Sequence, residues 1–323
     1  MDVYFSKAYA SCYSEIEKAE VCEYRFSGEE GEVYYVFLKR EIESIKYNGY
    51  YDIITPYGYG GPIILKSDEA NHERLVNEFS KEFTRYCTDN KIVSEFIRFH
   101  PLIKNHLMFW SHYNPEFNRR TVCVQIDEDD VWSIITYQCK KAVRRAERMG
   151  VSIRFDFDAE SLDDFYKIYT LTMDKNEAEQ YYYFSMQYFN DLIKQLPNNL
   201  FFVHAIYEDR IIASILFLYS ENYIHGHLGG TNPSFYYLKP TNSIISATIQ
   251  WGIEQGKSCL HLGGGYTIAD KDSILAFKKS FTRKGDLCDF YTGKKIYNQK
   301  VYDALCEERK VDRESSYFPL YRN

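Results

Sequence analysis

Tyr223-Ile-His-Gly-His-Leu-Gly-Gly-Thr231 and Ser258-Cys-Leu-His-Leu-Gly-Gly-Gly265 each read as a strand, and both carry the same closing His-Leu-Gly-Gly. Between them Lys239-Pro-Thr-Asn-Ser243 opens an apolar-periodic run (Ile244, Ile245, Ala247, Thr248, Trp251, Ile253) that stops at Gly256, the residue type that often follows a helix. The three pieces make a β-α-β unit. A right-handed crossover lays its two strands parallel and brings both Gly pairs to the same, carboxyl, end. Ligands of open α/β sheets bind at that end. There Gly229, Gly230, Gly263 and Gly264 would let a ligand reach backbone amides, with Thr231 beside them. A helix starting at Thr241, Asn242 or Ser243 would point unpaired N–H groups into the same space, an anion site suited to a phosphate or pyrophosphate. Singly, each Gly pair is a strand-ending turn and the polar trio a cap; together they point to a binding site.

The chain has 323 residues, long enough for two domains of ordinary size. With 45% hydrophobic and 26% charged residues it is a globular composition, and a net charge of −7 argues against a protein whose main task is coating nucleic acid. Its eight cysteines form no C-x-x-C pair and no finger-like spacing, so no metal is expected, and several lie in apolar runs as reduced core thiols do. Met1-Asp-Val-Tyr-Phe lacks a basic n-region before a long apolar core, and no later run reaches the length of a membrane span, so a cytoplasmic location is expected.

Residues 1 to 28 show no clean period. Strands are expected at Gly31 to Lys39 and Tyr50 to Thr55, with Arg40 to Lys46 continuing the sheet. Thr55-Pro-Tyr-Gly-Tyr-Gly-Gly-Pro62 is too rich in glycine and proline for a helix or central strand; Tyr57 and Tyr59 either contact a substrate or cap the sheet. A helix follows at Ser67 to Asn90 and a strand at Lys91 to Phe99, placing Arg98 and His100 where they could anchor an acidic substrate. Residues 101 to 120 read as loop. A strand at Thr121 to Ile126 precedes one helix over Val131 to Met149, whose cationic end suits the helix dipole. The domain boundary is set at Gly150, giving domains 1–149 and 150–323. The second restarts with a strand and two helices before the hairpin of Leu200 to Tyr207 and Arg210 to Tyr219, turned by Glu208-Asp209. After the β-α-β unit come a helix at Lys271 to Phe281, a strand at Leu287 to Tyr291 and a helix at Asn298 to Glu308.

This order resembles the GNAT-type acyltransferase fold. Lys140-Lys-Ala-Val-Arg-Arg-Ala-Glu-Arg-Met-Gly-Val151, H-L-G-G-T-N-P at 227 to 233, L-K-P-T-N at 238 to 242, H-L-G-G-G at 261 to 265 and F-K-K-S-F at 277 to 281 narrow the resemblance to the FemABX-like acetyltransferase branch. The resemblance implies an α/β chain of two GNAT-like domains, each a mixed twisted sheet flanked by helices. It implies an acyltransferase that moves an acyl group from a carrier to a primary amine. FemABX enzymes proper use aminoacyl-tRNA and a peptidoglycan precursor; relatives with this acyltransferase domain use acyl-CoA. No extended heptad run occurs between 158 and 200, so a helical tRNA-binding arm is not expected. The stretch 231 to 242 also lacks glycine, unlike the phosphate loop of GNAT enzymes, so the donor stays open between acyl-CoA and aminoacyl-tRNA. A non-catalytic binding module on the same fold is the remaining alternative.

Amine attack on a thioester or ester needs a neutral nucleophile, a donor for the developing oxyanion and a proton for the leaving group. Much of the rate comes from holding two substrates together. Backbone N–H groups near Gly229 to Thr231 are candidate carbonyl polarisers. Lys278 resembles the family lysine near the acyl centre and is the candidate oxyanion side chain. His227 and His261 are candidate bases, against the alternative of hydrogen-bonded core histidines. Tyr236 and Tyr237 either protonate a leaving group or stack on the carrier.

Overall fold

In the computed structural model, which describes residues 1–265, 267 and 272–323, the chain divides into two compact units. The amino-terminal unit is Tyr4–Asn118 with Asp289–Asn323, and the central unit is Arg119–Cys288 with Met1–Val3. The division therefore falls well before the boundary at 149/150 set from the sequence, and the chain returns to the amino-terminal unit after Cys288. The reason is packing. Val122, Val124, Val143 and Ala146 are buried in one core with Val203, Ile224, Ile249 and Leu260, while Val301, Tyr302 and Leu305 are buried with Ile42 and Val93.

In chain order, the amino-terminal unit opens with α1 (Lys7–Ser11), β1 (Ala19–Gly28), β2 (Gly31–Glu41), β3 (Tyr51–Ile54), β4 (Ile63–Ser67), α2 (His72–Asp89), β5 (Ile92–Arg98), α3 (Asn105–Met108) and α4 (Trp110–Tyr113). β6 (Glu116–Gln125) leads into the central unit, with α5 (Val131–Ile134), α6 (Tyr137–Arg148), β7 (Ser152–Asp156), α7 (Leu162–Lys175), α8 (Met186–Gln195), β8 (Leu200–Tyr207), β9 (Arg210–Tyr219), β10 (Tyr223–Thr231), α9 (Pro240–Glu254), β11 (Cys259–Gly264) and α10 (Ser273–Lys279). β12 (Leu287–Ile296) and α11 (Gln299–Glu308) close the amino-terminal unit. Lys271, where the sequence reading began its helix, lies outside the described residues.

The amino-terminal sheet runs β1-β2-β3-β5-β12, with β4 also on β2. β3 and β5 are parallel, and the β1–β2, β2–β3, β2–β4 and β5–β12 pairs are antiparallel. α2 covers it through Leu75, Val76, Phe79, Phe83 and Cys87, spaced to share one helical face, against Val33, Tyr35, Phe37 and Ile92. β2 stops at Glu41 and does not continue through Lys46: Ile42 is buried but Ile45 is 97% exposed, so the expected alternation has no second core face to satisfy. Residues 101 to 120 hold α3, α4 and the start of β6 where a loop was expected; segments this short carry almost no periodicity.

Buried in this unit is a carboxyl, Glu95. It accepts from the hydroxyls of Tyr297 (2.5 Å) and Tyr113 (3.2 Å). Burial outweighs these bonds and pushes the carboxyl up to about 7. A carboxyl held more weakly acidic in the folded than in the unfolded chain, where it titrates near 4.3, adds stability at low pH that is lost as pH rises through the folded value. Urea titrations should show wild-type stability falling between about pH 4.3 and pH 7 by a few kcal/mol relative to Glu95→Gln.

The central sheet runs β6-β11-β10-β9-β8-β7. Glu208 and Asp209 both take positive φ (48° and 58°), as a two-residue hairpin turn of this twist requires. The helix expected over Val131 to Met149 is two helices: Ile135 is extended, and the Thr136 hydroxyl accepts from the Cys139 N–H to start α6 anew. The cysteines are not uniformly reduced core thiols. Cys123 and Cys288 form a disulfide with Cα atoms 6.2 Å apart, while Cys22, Cys87, Cys139, Cys259 and Cys306 are free thiols. No described helix is long and apolar enough to cross a membrane.

Candidate active site

β10 and β11 are parallel, as the β-α-β reading requires, but they pair only at Tyr223↔Cys259, Ile224↔Leu260 and His225↔His261. Beyond that point a register shift between Gly226 and Leu228 keeps β10 on β9 (Leu228↔Leu216, Gly229↔Ile215, Gly230↔Ser214). A matching shift between His261 and Gly263 keeps β11 on β6 (Gly263↔Val122, Gly264↔Thr121). Bulges bend the strand that carries them. Two bulges on adjacent strands, each retaining its outer partner, part the pair and open a wedge at the carboxyl end, where the sequence placed a ligand.

α9 starts beside this wedge. Lys239 precedes it in a left-handed conformation, Pro240 fills its first turn, and no side chain caps it. Thr241, Asn242 and Ser243 were expected to form this start, and they do, but with their side chains otherwise engaged. The Thr241 hydroxyl bonds to that of Thr231 at 2.8 Å, tying the helix to the end of β10. The Asn242 amide donates to Cys139 Sγ at 3.5 Å, and Ser243 Oγ is buried with no hydrogen-bond partner among the described residues. An uncapped helix start presents N–H groups and a positive partial charge.

The glycines divide by role. A Cβ on Gly229 would lie 2.6 Å from the Ser214 carbonyl oxygen, and one on Gly230 would lie 2.0 Å from Thr172 Oγ1 and 2.9 Å from the Ile168 carbonyl oxygen. Both are required by close packing on β9 and α7, not by a ligand's approach, and the Thr231 N–H is already donated to Thr172 Oγ1 (3.2 Å). Gly263 has φ +71°, which favours glycine. Gly226, which sequence reading passed over, sits where β10 leaves β11: a Cβ there would meet the His261 carbonyl oxygen and Leu262 at an ordinary 3.7 Å and Phe217 at 3.8 Å.

Lys278 lies at the end of β11, its ammonium donating to the Gly264 carbonyl at 2.6 Å. Burial lowers it to about 8, partly offset by Asp272. Asp272 is buried as well; one carboxylate oxygen accepts from the N–H groups of Ile274 and Leu275, capping α10, and the other from the Thr267 N–H. Arg119 donates to the Gly265 carbonyl at 3.1 Å. Two cations thus hold consecutive carbonyls where β11 ends.

The histidines separate. His225 and His261 are register partners with rings 5.8 Å apart; His225 bonds to Asp2 and His261 to Thr121, each at 2.9 Å, and both are buried. His227 Nε2 instead meets the Tyr188 hydroxyl on α8 at 2.9 Å. Burial, with His225 nearby, pulls His227 down to about 3. A ring held that far down is neutral near pH 7 and a weak acceptor for an amine proton. Tyr236 is exposed, with the Lys175 ammonium 4.1 Å above its ring. Tyr57, Tyr59 and Arg98 belong to the amino-terminal unit: Tyr59 packs edge-on to Tyr4 and Phe290, the Tyr57 carbonyl accepts from Tyr9, and Arg98 donates to the Thr55 carbonyl while lying 4.9 Å from the Phe96 ring. Tyr188, Thr121 and Asp272 escaped sequence reading because each is an isolated polar residue outside any motif. Imidazole nitrogen shifts of His227 should show no titration between pH 5 and pH 8, and Tyr188→Phe, which removes the hydroxyl at Nε2, should cost about 0.5–1.5 kcal/mol in urea unfolding.

Residues 135–279 match the family model of the acetyltransferase (GNAT) domain. The whole chain is similar in structure to FemX (13% identity, 94% of each chain covered, TM-score 0.72). It is also similar to the C-terminal domain of a putative lysylphosphatidylglycerol synthetase from Agrobacterium fabrum (11% identity, 95% of this chain and 92% of that one, TM-score 0.59). L-PGS from Bacillus licheniformis is a further neighbour (12% identity, 94% and 96% covered, TM-score 0.56). At these identities the likeness is one of fold. No curated protein matches the chain in sequence.

Proposed function

We propose that the protein is an N-acyltransferase that moves an acyl group from acyl-CoA to a primary amine, a reading supported by the match of residues 135–279 to the acetyltransferase (GNAT) family model in a chain of GNAT-like fold. The observation that carries this reading is the parting of β10 and β11 beyond His225 and His261, beside the uncapped start of α9. An extended acyl-thioester arm can bond to backbone groups that the parted strands no longer share, with the donor's phosphates toward the helix start.

In the reaction the amine nitrogen attacks the thioester carbonyl carbon and the C–N bond forms as charge moves onto oxygen. Charge then returns, the C–S bond breaks, and the proton shed by nitrogen ends on the thiolate. Lys278 is the side chain suited to this sequence. Its ammonium can stabilise the developing oxyanion, and at about 8 it lies near an ordinary thiol, so transfer to the leaving thiolate is nearly balanced. His227 is better placed to orient than to deprotonate, and His261 bonds to Thr121 in the core. Positioning of two substrates supplies the remainder.

The FemX-like fold over 94% of the chain favours a second reading, transfer of an aminoacyl group from tRNA to a cell-wall precursor. The cations do not support a continuous tRNA channel: Lys278 is turned onto Gly264, and Lys284 is paired with Asp127 at 2.5 Å. Lys140, Arg144 and Arg283 gather around Trp132. Among described residues 158 to 200 there are only α7, a short 3-10 turn and α8, with no projecting arm.

Thiol release from acetyl-CoA with a panel of primary amines tests the proposal. Activity should decline above about pH 8 as Lys278 loses its proton. Lys278→Met should lower kcat by about 10²–10³ and abolish that decline. Turnover with aminoacyl-tRNA and none with any acyl-CoA would transfer the site to the second reading.

A further inference from the structure

Cys288, the last residue of the central unit, is tied to β6 through both its side chain and its backbone. Its sulfur is bonded to that of Cys123, and its carbonyl accepts from the Thr121 hydroxyl at 3.1 Å. Thr121 and Cys123 are two residues apart on one strand and share a face, opposite to Val122 and Val124 in the core. A threonine hydroxyl carries one proton, and here the Cys288 carbonyl takes it. Toward His261 Nε2, 2.9 Å away, the same oxygen can therefore only accept, so His261 carries a proton on Nε2. The disulfide thus stands at one end of a relay from the Cys288 carbonyl through the Thr121 hydroxyl to the His261 ring. That ring belongs to the last register pair before β10 and β11 part.

β6 is also the strand that β11 keeps once it leaves β10, through Gly263↔Val122 and Gly264↔Thr121. A shift of β6 is therefore a shift of one wall of the wedge, including the Gly264 carbonyl that Lys278 holds. Reduction produces such a shift. A dithiol supplies two electrons and two protons: its thiolate attacks one sulfur of the bond, its second thiol displaces that mixed disulfide, and it leaves as its own disulfide with Cys123 and Cys288 as thiols. Unbonded, the two sulfurs cannot stay at bonding distance, since heavy atoms in contact rest about 3.5–4 Å apart. Both residues are buried in close-packed surroundings, so the separation falls on the strands themselves, where the Cys123 N–H meets the Asp286 carbonyl at a long 3.4 Å. Burial pushes the thiol of Cys259, two residues before His261, up to about 12, so this neighbour is no ready thiolate to rearrange the bond.

We propose that the Cys123–Cys288 disulfide is a reversible redox latch: closed, it holds Thr121, His261 and the β11 wall of the wedge in place, and opening by a dithiol loosens that wall and weakens ligand binding. The inference rests on the reading of the wedge as the acyl-CoA site. The test compares the whole chain kept without reductant, after dithiothreitol, and after reoxidation by oxidised glutathione, with circular dichroism of each form as the folding control. Peptide mapping without reduction should find Cys123 and Cys288 linked. In the folded protein dithiothreitol should open that bond, move the Nε2 nitrogen shift of His261 and raise the acetyl-CoA dissociation constant about tenfold, an ordinary coupling between two sites, and reoxidation should reverse all three. Thr121→Val should weaken acetyl-CoA binding to a similar extent with the disulfide intact, while Thr121→Ser, which keeps the hydroxyl, should not. A bond that serves stability alone would lower the unfolding midpoint on reduction and leave the His261 shift and acetyl-CoA binding unchanged. That result, unlinked cysteines, or a bond that resists dithiothreitol in the folded protein would overturn the latch. If neither form binds acetyl-CoA while His261 still responds to reduction, the acyl-CoA reading falls and the latch on this wall stands.

Discussion

Everything proposed for the central unit depends on a hydrogen-bond ladder that stops early. β10 and β11 share only the register pairs from Tyr223↔Cys259 to His225↔His261, although both strands run on. The two bulges past those pairs leave each strand bonded to its outer neighbour and not to the other. Backbone groups withdrawn from a ladder need partners, because an unpaired peptide group away from water is costly. A ligand lying between the strands would supply them. The rest of the unit fixes the opening: the Thr231–Thr241 hydroxyl pair ties the helix start to β10, and Lys278 and Arg119 hold the end of β11 through its last carbonyls.

Burial then sets the chemistry of the groups at the opening. It draws Lys278 down to about 8 and His227 to about 3. The same physical cause has opposite consequences for use. A lysine near 8 remains mostly charged at neutral pH yet can give up its proton, whereas a histidine near 3 is a neutral ring fixed by a tyrosine hydroxyl.

The strand-helix-strand unit and its site end were legible in the sequence because the apolar period, the proline at the helix start and the repeated His-Leu-Gly-Gly are local signals. What the glycines do was not. Gly229 and Gly230 look like ligand-facing glycines until Ser214, Ile168 and Thr172, distant in sequence, are seen against them. Gly226, a single glycine between two histidines, gave no motif and yet sits at the shift where β10 leaves β11. The unit boundary escaped for a related reason: β6 and α6 look like the end of a first domain, but their apolar faces are covered by β8, β10 and α9 from later in the chain. Helix α5 was fused with α6 because a two-residue break at Ile135 and Thr136 hardly disturbs a 3.6-residue period. Pairing of Cys123 with Cys288, 165 residues apart, has no sequence signal at all.

The measurement that bears most directly on the wedge is the thermal unfolding midpoint of the wild type and of Gly226→Val, each with and without acetyl-CoA. At about 100 times its dissociation constant, a ligand bound only by the folded chain adds roughly 2.7 kcal/mol. The account predicts a clear rise for the wild type. It predicts no rise for Gly226→Val, whose side chain would fill the space between β10 and β11, with an unliganded midpoint close to the wild-type value. A wild type that acetyl-CoA leaves unchanged, or two proteins raised equally, would contradict the placement of the donor between these strands.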